Sequence, residues 1–205
     1  MDDLSQIAQQ VRTCNLCGLS ASRQKAVHGE GPARAEIMLI GEGPGFHEDQ
    51  QGRPFVGPSG QFLNELLASA GYKREQVFIT NVVKCRPPGN RDPLPEEIQA
   101  CSHYLDRQIA LINPKVIVTL GRFSMAKWFP GQKISAIHGK AKHIDGRIVV
   151  AMFHPAAALH QQSLRSLIEE DFRRLPEIVK AAQATAEEKP AVKTEPNKGE
   201  QLSLF

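Results

Sequence analysis

Four short apolar runs constrain this chain more than any other feature: "AEIMLIG" (35–41), "VFITNVV" (77–83), "VIVTLG" (116–121) and "IVVAMF" (148–153). Each is apolar at nearly every position rather than at alternate ones. Both faces of each strand must therefore be covered, the condition of a parallel sheet between two helical layers. The intervening segments carry helical spacing. In "SGQFLNELLASAG" the residues Phe62, Leu63, Leu66, Leu67 and Ala70 share one face, with Ser59 as the expected cap and Gly71 as the stop. Across residues 95–112, Ile98, Cys101, Leu105, Ile109 and Ile112 recur at steps of three and four, which places Cys101 on a buried face. The expected fold is α/β, three-layer α/β/α with a central four-stranded parallel sheet.

A chain of 205 residues, 41% apolar and 23% charged, buries one sizeable core, so one domain is expected over residues 1–182. Beyond Ala182 the composition turns to Ala, Glu, Lys, Pro and Thr without periodicity, and 183–200 reads as a disordered linker. As a flexible coil of roughly 18 residues it would span about 20–25 Å. The formal net charge of +3 is compatible with a polyanionic partner but demands none. The start, "MDDLSQIAQQVRTC", is acidic and polar where a secretory signal would be basic and then apolar. No apolar run approaches the roughly 20 residues of a membrane helix, so a cytoplasmic protein without a membrane partner is expected.

Four cysteines in a reducing compartment point to metal binding or catalysis rather than disulfides. Cys14 and Cys17 form a C-x2-C pair in the polar stretch "RTCNLCGLS", while Cys85 and Cys101 are 15 residues apart by intervening count and must be brought back by the fold. Cys101 alone would pass for a small core residue. That reading leaves the C-x2-C pair unexplained. Zinc and a 4Fe-4S cluster both accept four thiolates, and spacing does not separate them.

Three loops marked by glycine or proline follow or overlap strand ends: "GEGPGFHEDQQGRPFVGPSG", "TNVVKCRPPGNRDP" and "FHPAAALHQQ". In an open α/β sheet such loops converge on one crevice, where ligands bind. Glu42, Glu48, Asp49, Phe55, Asn81, Asn90 and His154 are the candidate site residues. Glu48 and Asp49 also suit a solvated acidic corner, Asn90 a turn, and His154 a satisfied histidine before a proline. Asn81 is different, because a primary amide inside an apolar strand costs free energy unless it finds partners. "GEGPG" matches neither phosphate-loop pattern, and Pro44 removes a backbone donor that such a cradle would use.

These loops, with the four cysteines, closely resemble the family 4 uracil-DNA glycosylases over about residues 14–175. The resemblance implies excision of uracil from DNA by a monofunctional glycosylase, as a monomer. It also implies a 4Fe-4S cluster on Cys14, Cys17, Cys85 and Cys101. It gives Asn81 the reading of the uracil edge, Phe55 the stacking of the flipped base and Gly43 a place at the substrate. Glu48 falls at the wall that excludes the thymine methyl. His154 donates to uracil O2, and Glu42 with Asn90 positions water. Leu159 is the candidate wedge for the gap in the stack. His160 stands where many relatives carry an arginine. His47 reads as a loop residue, because "KCRPPGNRDPLPEE" lacks the inserted basic loop that holds the reactive histidine of relatives trapping uracil-DNA covalently.

The chain ends in "QLSLF", which resembles the bacterial sliding-clamp-binding pentapeptide, with Gln201, Leu202, Leu204 and Phe205 as its glutamine and apolar anchors. Tethering to a replication clamp would raise the local concentration of an enzyme that must find rare lesions. Two rival classes remain: a non-catalytic iron-sulfur protein that senses uracil in DNA, and a hydrolase of free nucleotides, which such a tail disfavours.

Overall fold

The computed structural model describes residues 3–187. Its sheet has five strands: β1 (Ile37–Gly41), β2 (Phe78–Asn81), β3 (Val116–Leu120), β4 (Lys140–Ile144) and β5 (Arg147–Met152), in the order β2-β1-β3-β5-β4. The four expected strands are all parallel. The fifth, β4, pairs antiparallel with β5 at the edge and corrects the four-strand expectation. It is largely exposed, carries Lys140, Lys142 and His143, and so lacks the continuous apolar signal of the others. Lysine on an edge strand discourages pairing with another chain. The signal that reveals it is Asp145-Gly146, both at positive φ (49° and 74°), the two-residue turn of a tight hairpin.

Alternate residues of the strands feed two cores. Met38, Ile40, Ile117, Val149 and Ala151 face one side, where α1 (Leu4–Thr13) contributes Ile7 and Val11, and α4 (Pro95–Ile112) contributes Leu105, Ile109 and Ile112. Leu39, Ile79, Val118, Val150 and Met152 face the other. There α3 (Pro58–Ser69) packs with Phe62, Leu63, Leu66 and Leu67, and α8 (Arg165–Arg173) with Ile168 and Phe172. The three-layer arrangement is as expected.

Short helices α2 (Phe46–Gln51), α5 (Arg122–Met125), α6 (Ile134–Ile137) and α7 (Ala156–His160) link these layers, and α9 (Leu175–Glu187) closes the described chain. The expected domain end at 182 therefore falls inside α9. The 188–205 segment, with the end of the linker and "QLSLF", lies outside the described residues. Helix α3 is capped at Gly57 with Pro58 in its first turn rather than at Ser59. Proline there loses no helical hydrogen bond and presets φ. Helix α1 begins with a reciprocal cap: Gln6 N donates to Asp3 Oδ1 at 2.8 Å, and Asp3 N to Gln6 Oε1 at 3.2 Å.

Candidate active site

Because β1, β2, β3 and β5 are parallel, their carboxyl ends open on one side, and the loops that follow β1, β2 and β5 meet there. They enclose a cavity of about 380 Å³ lined by Glu42, Gly43, Pro44, Gly45, Glu48, Phe55, Ser59, Asn81, Pro87, Asn90, Arg91, His154, Ala156 and His160. Every candidate named from the loops is thus brought together except Asp49. The carboxylate of Asp49 is buried and accepts from Gln24 N at 2.9 Å, tying α2 to the N-terminal segment. Leu159 is 49% exposed on α7, beside the cavity-lining His160 but outside the lining itself.

Asn81 ends β2 directly opposite Gly41 in the β1 register. A Cβ at Gly41 would lie 2.4 Å from Asn81 Oδ1 and 2.7 Å from the Phe55 ring. The glycine therefore makes room for both. Asn81 is 1% exposed, and its Oδ1 is buried without a hydrogen-bond partner. A buried acceptor left unpaired costs about 1–3 kcal/mol, an expense that a ligand donor would relieve. Behind the amide, Lys84 is fully buried, and its ammonium donates to Asn81 O (2.7 Å), Thr80 Oγ1 (2.7 Å) and Gln108 Oε1 (2.8 Å). All three of its protons are used.

Phe55 has φ of 51°, a left-handed conformation that a bulky residue adopts only when its surroundings impose it. Glu48 is one source of that constraint: its carboxylate accepts from Val56 N and Gly57 N, both at 2.8 Å, and from Gly45 N at 3.1 Å. Arg74 is another, donating to Phe55 O at 3.1 Å and to Pro54 O at 2.6 Å. Gly60 lets the backbone in, since a Cβ there would stand 2.0 Å from Phe55 O. The Phe55 ring stacks on His154, with centroids 5.3 Å apart and planes at 26°.

His154 follows β5, with the Gly121 backbone (φ 89°) at the end of β3 leaving space for its Cβ. Its Nδ1 accepts the Ala156 amide at 3.1 Å. A backbone N–H only donates, so the ring proton of neutral His154 is on Nε2. Loss of water around the ring lowers its pKa to about 4, with Glu48 opposing the shift, and the neutral form prevails at physiological pH. Glu42 is half-buried, and desolvation, then the Asp92 charge, raises its pKa while Arg122 lowers it. Asn90 is exposed at the rim with φ of 55°, and its Oδ1 accepts from Arg86 Nε at 2.8 Å. Arg91, held by two hydrogen bonds to Glu97 at 2.6 and 2.9 Å, brings a cation to the cavity that the loop motifs alone did not reveal.

Comparison with known proteins shows the family. Residues 28–177 match the family model described as the Uracil DNA glycosylase superfamily. This chain belongs to that superfamily. Within it, a type-4 uracil-DNA glycosylase of Sulfurisphaera tokodaii is 50% identical over 188 residues, covering 87% of this chain and 86% of the relative. Type-4 uracil-DNA glycosylases of Archaeoglobus fulgidus (43% identical; 90% of this chain, 98% of the relative) and Thermotoga maritima (44%; 85% and 93%) are similar over nearly their whole lengths. The matched residues 28–177 include all the loops that line the cavity.

A second cluster lies beside this site. Cys14, Cys17, Cys85 and Cys101 all line one small cavity with Leu16, Arg23, Lys84 and Tyr104. Arg23 donates to Cys85 Sγ at 3.2 Å, and Lys84 N to Cys101 Sγ at 3.3 Å. Burial raises the pKa of Cys85 against the opposing Arg23 cation, and that of Cys101 to about 11 against Lys84. Among the described residues, no group of three or more His, Cys, Asp or Glu stands as the ligands of a single metal ion would. Among the same residues no helix is long and apolar enough to cross a membrane.

Proposed function

We propose that this chain is a uracil-DNA glycosylase of DNA repair, which hydrolyses the N-glycosidic bond of uracil in DNA and leaves an abasic site. The single observation that carries the reading is the buried, unpartnered Asn81 Oδ1 at the floor of the cavity. Uracil presents an N3–H donor beside its O4 acceptor, and a fixed carboxamide satisfies both. Cytosine presents the reverse pattern, and a buried mismatch of that kind discriminates by about 10⁴ or more. Phe55 supplies the stacking surface for a base extruded from the helix.

Bond breaking leaves negative charge on uracil O2 and an oxocarbenium-like sugar. The neutral His154 ring offers Nε2–H to O2, so no imidazolium is needed. Glu42, as the anion, stabilises the sugar cation and orients water, with the Asn90 amide nitrogen as its helper, since Asn90 Oδ1 is already engaged by Arg86. Gly43 lines the pocket without a side chain to obstruct the sugar. Glu48, at the pocket wall, blocks the thymine methyl, and Leu159 fills the gap left in the stack. Cys14, Cys17, Cys85 and Cys101 fit a 4Fe-4S cluster better than one ion, because they surround one cavity without standing as the ligands of a single ion would. The cluster would tie the N-terminal segment to the chain leaving β2. Residues 201–205 serve as a sliding-clamp anchor, tested by binding of a peptide of the last ten residues to the clamp and its loss on Phe205→Ala.

End-labelled oligonucleotides carrying uracil, thymine or hypoxanthine, treated with alkali after incubation, test the activity. Cleavage at uracil and not at thymine supports it. Retained binding of uracil-containing DNA without cleavage would leave a sensor.

A further inference from the structure

Phe46 is a phenylalanine that the reaction scheme does not use, and it is 51% exposed at the first position of α2, directly after the loop that builds the pocket. It follows Gly45 and is two residues before Glu48, both of which line the cavity. The Arg86 guanidinium lies over its ring, 5.2 Å from the centroid, and Arg86 precedes the cavity-lining Pro87. The exposed His47 ring meets it edge-on, with centroids 5.5 Å apart and planes at 82°. Arg86 is further held by its hydrogen bond to Asn90 at the rim. A guanidinium and an imidazole thus flank an aromatic ring at the mouth of the pocket.

We infer that Phe46 and Arg86 form a nucleobase platform, which binds the base next to the extruded uracil on the same strand. Extrusion strips that base of one stacking partner, and an aromatic face replaces the loss whatever the base identity. A guanidinium over the ring adds a cation beside the base and the adjoining phosphate, where it can stack and donate hydrogen bonds. Neighbouring nucleotides are one backbone repeat apart, and Phe46 is one residue from the pocket lining, so both can be engaged together. The platform rests on the uracil-excising reading of the adjacent pocket. It adds a ligand that the pocket does not contain, the flanking nucleobase.

The test is affinity for a single-stranded oligonucleotide carrying 2′-fluoro-deoxyuridine, which slows bond cleavage, with a normal or an abasic nucleotide at each flank in turn. Phe46→Ala is expected to weaken binding by about tenfold, the scale of one base–aromatic stack. The loss should vanish when the flanking nucleotide on the platform side is abasic, and Phe46→Trp should restore affinity. An equal loss with every flank, or no loss at all, overturns the platform. Thermal melting of Phe46→Ala checks that the exposed substitution leaves the fold intact. Uracil excision by the unaltered protein is measured in parallel. Its absence would count against the glycosylase, while the binding comparison still decides the platform.

Discussion

Lys84 Nζ donates to the main-chain oxygen of Asn81 at 2.7 Å, so the residue proposed to read the base is held from behind by a buried cation. The same lysine donates its amide to Cys101 Sγ at 3.3 Å and accepts from Val27 N at 2.7 Å. One residue therefore joins the pocket, the cysteine site and the N-terminal segment. Lys84→Met keeps much of the volume but strands three acceptors in the interior. It is expected to destabilise the fold by about 3 kcal/mol and to slow single-turnover excision. Denaturant unfolding and quenched-flow kinetics check the pair of effects. An unaltered rate would mean that Lys84 serves stability alone.

His154 makes stability depend on pH with a definite sign. Its pKa falls from the ordinary value of 6.5 to about 4 in the folded protein, so between these values the unfolded chain binds the proton more tightly. The contribution of the neutral ring to stability is therefore complete above about pH 6.5 and is lost as pH falls toward 4, up to about 3 kcal/mol. Unfolding free energies at pH 4.5 and 7 should differ less in His154→Gln than in the unaltered protein. Excision by His154→Ala should fall by orders of magnitude while undamaged DNA still binds.

Glu48 combines a proposed wall with an observed clamp on three amides, and two substitutions separate them. Glu48→Ala removes the wall and all three backbone acceptor contacts, so thymine exclusion should relax and the fold should lose about 2 kcal/mol. Glu48→Gln keeps the bulk but replaces one acceptor oxygen with a donor. It should retain thymine exclusion and still lower the melting temperature. The ratio of uracil to thymine excision, with melting curves, reads both. A Glu48→Ala enzyme that still rejects thymine removes the wall role.

Gly41→Ala tests the close approach that builds the pocket floor. The added methyl collides with Asn81 Oδ1 and the Phe55 ring, whose backbones are held by the Lys84 ammonium on Asn81 O and the Arg74 guanidinium on Phe55 O. Uracil affinity and excision should fall at least about a hundredfold, with far-ultraviolet circular dichroism unchanged. Normal uracil binding would show that the floor can yield.

Cys17→Ala removes one proposed cluster ligand and leaves no oxygen in its place. The purified protein should lose visible absorption and iron content and melt at lower temperature, because the N-terminal segment then loses its tie to the chain after β2. Retained iron in a 4:1 ratio to protein would exclude Cys17 as a ligand.

Much of this protein was legible before any coordinates. The four strands that are apolar throughout declared a sheet covered on both faces, because continuous burial leaves a continuous apolar run. Helix α4 was read with its observed bounds from its three-and-four spacing. Strand β4 escaped because an exposed edge strand has no buried face to mark it, although Asp145-Gly146 marked its turn. The candidate residues of the loops, Asp49 apart, meet in one cavity because parallel strands place all their carboxyl ends on one side.

What the sequence determined by itself was composition along one dimension: which segments bury, which thiols and polar groups lie at strand ends, and which motif resembles which family. Tertiary structure alone decided who faces whom. Gly41 lies opposite Asn81 through the β1–β2 register, Glu48 spends its carboxylate on three amides, and Lys84 satisfies acceptors on two elements. Periodicity reports burial, whereas hydrogen-bond partnership depends on distance and direction between segments remote in sequence.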